Sequence, residues 1–344
     1  MTPRITRLRV LVHNKHVPIF VLGTALVLSA IAHLPTLARS PTVWIDEVMI
    51  LDYGRVLSDP STDWSVTLTQ DGVPAFPLSP VYCWLEHKWG ELAGATPFRI
   101  RLFSTLCGMG AAIAFFWLMQ AMGVIPWIAV SVALALWFDD LFVRSFRGAR
   151  GDSFALMFSF IACALWVRSL ERRSRSFACL AGIFSVLAVA AWPTALVTLV
   201  FIPIHLLARI WREREPYWIE GLFGLVGVGM AAAIYYLGYS WAFDRIPQAP
   251  FSLSSVTFGE IARTFVGAYS RTPWILVAFA MAVVFCAARR GAGFPFLCAI
   301  LVGAIVARMA PPFYTWRLLY LCLLYTSDAA DDLLCVDLGG RRII

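Results

Sequence analysis

The sequence predicts an all-α protein, a polytopic transmembrane helical bundle of about nine complete spans plus the start of a tenth, with a long outer loop containing juxtamembrane helices. Three observations carry this. The chain is 60% hydrophobic and only 14% charged, where a soluble domain carries about 25% charged residues. Its mean hydropathy is +0.75. Its apolar residues also gather into runs close to the ~17–25 residues that cross a hydrocarbon core.

Taken in order, the runs lie at 17–36, 99–120, 124–140, 153–168, 176–191, 193–209, 219–237, 274–288 and 292–309. The first follows Arg4, Arg7, Arg9 and Lys15 and resembles a signal peptide in its charge. It has no small-residue cleavage site, so it reads as a retained helix. Lys and Arg are densest in the short loops that lie inside if the amino terminus is cytoplasmic, as the positive-inside rule requires. Clusters such as Arg172, Arg173, Arg175 and Arg209, Arg212, Arg214 then mark inner helix ends and account for most of the net charge of +7. That leaves membrane lipids as partners and gives no reason to invoke nucleic acid.

Two outer segments are long: 37–98 between the first two spans and 238–273 between the seventh and eighth. Loops of this length are functional or disordered. The first interleaves Trp44, Trp64, Tyr82, Trp84 and Trp89 with charge, and Val81 to Leu92 has the pattern of an interfacial amphipathic helix. Such aromatics serve as headgroup anchors or as sugar platforms. Carboxylates crowd into the outer loops, with only Glu171, Glu213 and Glu215 in inner ones, so any chemistry is expected on the outer face. Cys107, Cys163, Cys179, Cys286 and Cys298 fall in spans and Cys83 alone in an outer loop. No disulfide framework or zinc spacing is visible.

From Cys322 the chain changes character, reading Cys-Leu-Leu-Tyr-Thr-Ser-Asp-Ala-Ala-Asp-Asp and ending Gly-Gly-Arg-Arg-Ile-Ile at Ile344. This stretch resembles a translated sequencing-library adapter. The expected division is residues 1–321 as the transmembrane domain, broken off at the opening of a tenth span from Phe313, and 322–344 as non-native read-through.

The chemistry-bearing residues come in a definite order. Asp46-Glu47 follows the first span; Asp71-Gly-Val-Pro74 and Pro80-Val-Tyr82-Cys-Trp84 follow; Arg99-Ile-Arg101-Leu-Phe-Ser leads into the second span. After the third span, Arg147-Gly-Ala-Arg150-Gly-Asp152 opens the fourth, and Trp192-Pro193-Thr194 makes a short turn between the fifth and sixth. An isolated acidic pair after a span is commonly solvated or a helix cap; it is the order of elements that is specific.

This order resembles the polyprenyl-phosphate-dependent membrane glycosyltransferases of the GT-C fold, the group with protein mannosyltransferases and the aminoarabinose transferases of lipid A. The likeness covers about residues 17–210. It departs in having one Tyr, Tyr82, where two are usual, and Trp192 where a Lys is common. The resemblance implies a transferase of the cytoplasmic membrane, multi-pass with a cytoplasmic amino terminus. Such an enzyme moves a sugar with inversion from a polyprenyl-phosphate donor to a lipid, glycan or protein acceptor on the outer face. It implies Asp46 as catalytic base, with Glu47 as runner-up or as the residue supporting it. A carboxylate suits the role because it accepts the acceptor's proton as the bond forms. Asp71 would orient the acceptor or a metal, and Tyr82 and Asp152 would line the substrate site. Arg150, then Arg147 and Arg144, would hold the departing phosphate through bidentate, permanently charged guanidinium groups.

Lys88 and His87 could meet the phosphate too, or lie on a solvated helix face. Arginines at a helix end could equally snorkel to headgroups. His205, near the inner end of the sixth span, reads as hydrogen-bonded between helices. No cofactor is assigned; a hard divalent ion could be held by oxygens of Asp46, Glu47 and Asp71, but no metal is entered at the site. Two other classes stay open, a transporter or flippase and a non-catalytic assembly subunit for envelope glycolipids. The span interiors are nearly free of acidic residues, whereas transport needs midplane polar sites.

Overall fold

The computed structural model describes residues 16–41, 43, 45–59, 61, 69–70, 73–74, 79–192, 195–214 and 216–243. The expected eighth, ninth and tenth spans, the second long loop beyond residue 243 and the segment 322–344 lie outside them; residues 238–243 continue the last described helix rather than opening a loop. In chain order the elements are α1 (His16–Leu37), α2 (Ile45–Ser58), β1 (Thr69–Gln70), β2 (Val73–Pro74), α3 (Pro80–Ala93), α4 (Pro97–Ala121), α5 (Pro126–Trp137) and α6 (Asp140–Arg147). They continue with α7 (Gly151–Arg172), α8 (Arg175–Ala191), α9 (Ala195–Leu199), α10 (Phe201–Glu213) and α11 (Trp218–Phe243). Apart from β1 and β2, an antiparallel pair of two residues each, the described residues are helical or connecting.

Among the described residues four helices are long and apolar enough to cross a membrane: Val17–Leu37, Pro97–Ala121, Gly151–Arg172 and Trp218–Gly238. They answer to the expected first, second, fourth and seventh spans. The other three expectations within the described residues meet shorter apolar helices, Pro126–Trp137, Arg175–Ala191 and Phe201–Trp211. The run 124–140 is divided because Asp139 Oδ1 accepts from the Phe142 N–H at 3.0 Å, which starts α6 and ends the apolar stretch. The run 193–209 is broken at Val200 into α9 and α10.

Local chemistry sets the helix starts. Proline occupies the first turn of α3, α4 and α5, where its missing N–H costs nothing. Thr96 caps α4 by accepting from the Arg99 N–H, and Ser174 caps α8 by accepting from that of Phe177. Between α7 and α8, Arg173 takes the left-handed conformation at φ 50° that reverses the chain in two residues.

The chain divides into two units, Met1–Pro193 with Trp218–Pro247 and Thr194–Tyr217 with Gln248–Ile344. In the first, α4, α7, α8 and α11 pack side by side, α2 lies on α3, and α1 packs on α4 and α5. Small residues let backbones approach, as in other membrane bundles. A Cβ on Gly227 would stand 2.0 Å from the Cys179 carbonyl oxygen, and one on Gly54 2.1 Å from that of Cys83. The second unit contributes α9 and α10, where His205 stacks on Phe201 with ring centroids 5.2 Å apart.

Candidate active site

The acidic pair sits in the first turn of α2. Glu47, 4% exposed, meets Arg101, which is 0% exposed, across the α2–α4 contact. The pairing is bidentate, Arg101 Nε to Glu47 Oε2 at 3.0 Å and Nη2 to Oε1 at 2.7 Å. The remaining guanidinium nitrogen, Nη1, donates to the carbonyls of Leu37 and Pro41 at 2.9 and 2.8 Å. One side chain therefore ties the end of α1, the turn after it and the start of α2 to α4. Removing one partner from such a buried pair costs about 3–5 kcal/mol, because the other charge is stranded. Asp46 directly precedes Glu47 on this braced turn; its side chain, like the whole of Asp71, lies outside the described residues.

Arg147, at the end of α6, clamps the same turn from another side. Its Nη1 lies 2.7 Å from His33 Nδ1, and its Nη2 donates to Thr36 Oγ1 at 2.9 Å and to the Ser40 carbonyl at 2.7 Å. An aromatic stack supports it, with Phe146 and Trp137 at 4.5 Å and Trp137 Nε1 donating to Ser29 Oγ. These bonds turn the Arg147 guanidinium toward the α1–α2 connection. Arg144, one turn earlier on α6, is exposed.

A second cluster forms where α3, α4, α7 and the end of α8 meet. Arg150 precedes α7 and is largely buried. Its Nε donates to Asp152 Oδ2 at 2.8 Å, and its guanidinium carbon stands 5.7 Å from the Trp192 ring centroid. Ser104 Oγ donates to the Arg150 carbonyl and lies 3.2 Å from Ser153 Oγ. Gly151 is wedged between rings, since a Cβ there would meet Trp192 at 2.9 Å and Tyr82 at 3.1 Å. Tyr82 and the Arg150–Asp152 pair, remote from each other in sequence, thus converge with Trp192.

Among the described residues three buried polar groups here have no partner at hydrogen-bond geometry: the Tyr82 hydroxyl, both oxygens of Glu86 and Asp152 Oδ1. Tyr82 and Glu86 are one turn apart on the inward face of α3. Burial, and then the charge of Glu47, push the Glu86 carboxyl well above the usual carboxylate range, which favours its protonated form. Burial, and then Glu86, likewise raise the Tyr82 phenol and the Cys83 thiol.

Lys88 and His87 pair with Glu91 at 2.7 and 3.2 Å, and the Cβ of His87 lies against Gly54 of α2. The hydrogen bond from Lys88 is the main cause that lowers the Glu91 carboxyl. Among the described residues no group of three His, Cys, Asp or Glu side chains could hold a metal ion.

Two participants escape a linear reading. Arg101 is noticed in sequence only as part of a helix start, yet a charge one turn inside an apolar span requires a partner, and that requirement is the signal that points to it. Glu86 is one of many outer-loop carboxylates; its spacing of four from Tyr82 is the only hint.

The family model of dolichyl-phosphate-mannose-protein mannosyltransferases matches residues 26–247, more than half of the chain. No curated protein and no solved structure matches it.

Proposed function

Because the chain belongs to the dolichyl-phosphate-mannose-protein mannosyltransferase family, we propose that it is a multi-pass membrane glycosyltransferase drawing its sugar from a polyprenyl-phosphate donor. The acceptor is a lipid, glycan or protein hydroxyl at the outer face of the cytoplasmic membrane, and transfer proceeds with inversion. The Asp46 carboxylate takes the proton of the acceptor hydroxyl as its oxygen attacks the anomeric carbon. The bond from that carbon to the phosphate oxygen breaks on the opposite face, and polyprenyl phosphate departs with the electron pair. Arg150 offsets the charge that develops on the phosphate. Asp152 orients the guanidinium and Trp192 backs it. Tyr82 lines the sugar site, and Asp71 helps to orient the acceptor. Lys88 is at most a peripheral contact, given its pairing with Glu91.

The observation that carries this reading is the brace of Glu47 by Arg101. A base must be held to a fraction of an ångström to act. The residue before Glu47 rides on a helix turn held by two hydrogen bonds from one buried arginine, whose other two hold the chain that leads into it. Glu47 itself, with both oxygens committed to Arg101, serves as the positioning residue.

The test uses membranes carrying the protein or Asp46→Asn, given a labelled polyprenyl-phosphate sugar. Wild type releases label from the donor; Asp46→Asn lowers release by about 10²–10⁴-fold at equal expression. Equal release by both removes Asp46 from the mechanism, and none from either across a panel of donors sinks the transferase reading.

A further inference from the structure

The residues that the transfer reading uses among the described ones cluster at one end of the first unit. At the other end lie the end of α7 and the starts of α8 and α11, with the last two turns of α4 beside α7. Three arginines there lie over three aromatic rings. Arg168 stands 5.2 Å from the Trp117 ring, Arg172 5.9 Å from Phe177 and Arg175 5.4 Å from Phe223. Each separation is within the ~6 Å at which a cation is attracted to a ring face. Arg172 and Arg175 are exposed and Arg168 is half-buried.

A ring face satisfies the flat side of a guanidinium and leaves its in-plane N–H donors unspent. Among the described residues no carboxylate pairs with Arg168, Arg172 or Arg175, whereas Arg173 beside them lies 3.8 Å from Glu220. The amino terminus of α8, with no acidic residue in its first turn, adds its positive dipole end. Beside Phe223, the apolar Leu222, Leu225 and Val226 of α11 are exposed. The 22 residues of α7 span about 33 Å, close to the ~30 Å thickness of the hydrocarbon core. With its first turn at one interface, its last stands at the other, level with lipid headgroups.

We propose that Arg168, Arg172 and Arg175 form a binding site for the headgroup phosphate of an anionic phospholipid, whose acyl chains lie along the exposed apolar side of α11. Planar donor forks recognise phosphate oxygens, and the rings beneath keep the forks from folding away into water. The apolar flank separates this site from one for a small anion, which would have no use for it. The site is independent of the transfer reaction.

Native mass spectrometry of the full chain tests this, after removal of endogenous lipid, with equal amounts of phosphatidylglycerol and phosphatidylcholine carrying the same acyl chains. Wild type is expected to retain phosphatidylglycerol over phosphatidylcholine by about tenfold or more. The triple variant Arg168→Lys, Arg172→Lys, Arg175→Lys keeps the charge but loses the forks and their stacking, and its preference falls below about twofold. Trp117→Leu, which removes one ring, lowers the preference in the same direction. Equal retention of the two lipids by wild type overturns the proposal without any variant, and so does an undiminished preference in the triple variant. Displacement of phosphatidylglycerol by inorganic phosphate would reveal a small-anion site and overturn the lipid assignment.

Discussion

Glu86 is the residue whose chemistry is hardest to reconcile with a purely structural role. A side chain that is 0% exposed, with neither carboxyl oxygen hydrogen-bonded, costs stability that a leucine would not. The cost is smaller while the group holds its proton. Its folded-state carboxyl is raised by burial first and by the nearby Glu47 second, so the folded protein holds this proton more tightly than the unfolded chain does. Stability from that proton is complete below the unfolded carboxyl value of about 4.3. It is lost as pH climbs toward the raised folded value, at about 1.4 kcal/mol per pH unit. Glu86→Gln keeps the shape and cannot ionise. Thermal unfolding of the two proteins across pH is expected to coincide near pH 4 and to diverge upward, with Glu86→Gln the more stable in the neutral and alkaline range. Parallel curves would show that Glu86 keeps an ordinary carboxyl.

Between elements, the tightest approach near the candidate site is α2 on α3 at Gly54. A Cβ there would meet the Cys83 carbonyl oxygen at 2.1 Å and His87 Cβ at 2.6 Å; a backbone group cannot swing aside, so α2 must lift. Gly54→Ala is expected to destabilise by about 1–3 kcal/mol and to lower sugar transfer with it, because the braced turn bearing Asp46 rides on α2. Gly229→Ala, on α11 where a Cβ meets nothing within 4 Å, is the matched control and is expected to leave both unchanged. A loss of melting temperature equal in the two variants would remove any special role for the α2–α3 approach. The same scale explains what could be read in advance. α1, α4, α7 and α11 follow from long apolar runs, and α3 from the amphipathic pattern of Val81 to Leu92. Hydropathy cannot see that Asp139 caps α6 and so shortens α5, because a cap acts through one oxygen and one N–H. Nor can it see Arg101 meet Glu47 across 54 residues, or Gly151 admit the rings of Tyr82 and Trp192. These depend on which helix faces meet, and single-chain periodicity leaves that undetermined. The grouping of Tyr82, Arg150 and Asp152 was suggested by motif order, while their partners Ser104 and Ser153 carry no motif.

Across the whole molecule, polarity is sorted by helix direction. α4 and α7 both begin near the acidic pair and end near the arginine–aromatic cluster, and α8 returns to deliver Trp192 beside Arg150. A bundle built this way has two chemically different rims. One is held by buried carboxylate–guanidinium pairs, Glu47 with Arg101 and Arg150 with Asp152, and the other by exposed arginines on rings. In the proposed orientation, with positive charge on the cytoplasmic side, the arginine rim lies inside and the α1–α2 turn faces out. Single cysteines at two exposed positions, Ser40→Cys in that turn and Glu171→Cys at the end of α7, read this directly in a background whose accessible native cysteines are replaced. A membrane-impermeant maleimide is expected to label Ser40→Cys in intact cells and Glu171→Cys only after permeabilisation. The reverse pattern would put Asp46 on the cytoplasmic face and refute transfer at the outer one. Labelling of both positions from the same side would mean that α7 does not cross the membrane, and would undo the separation of the two rims.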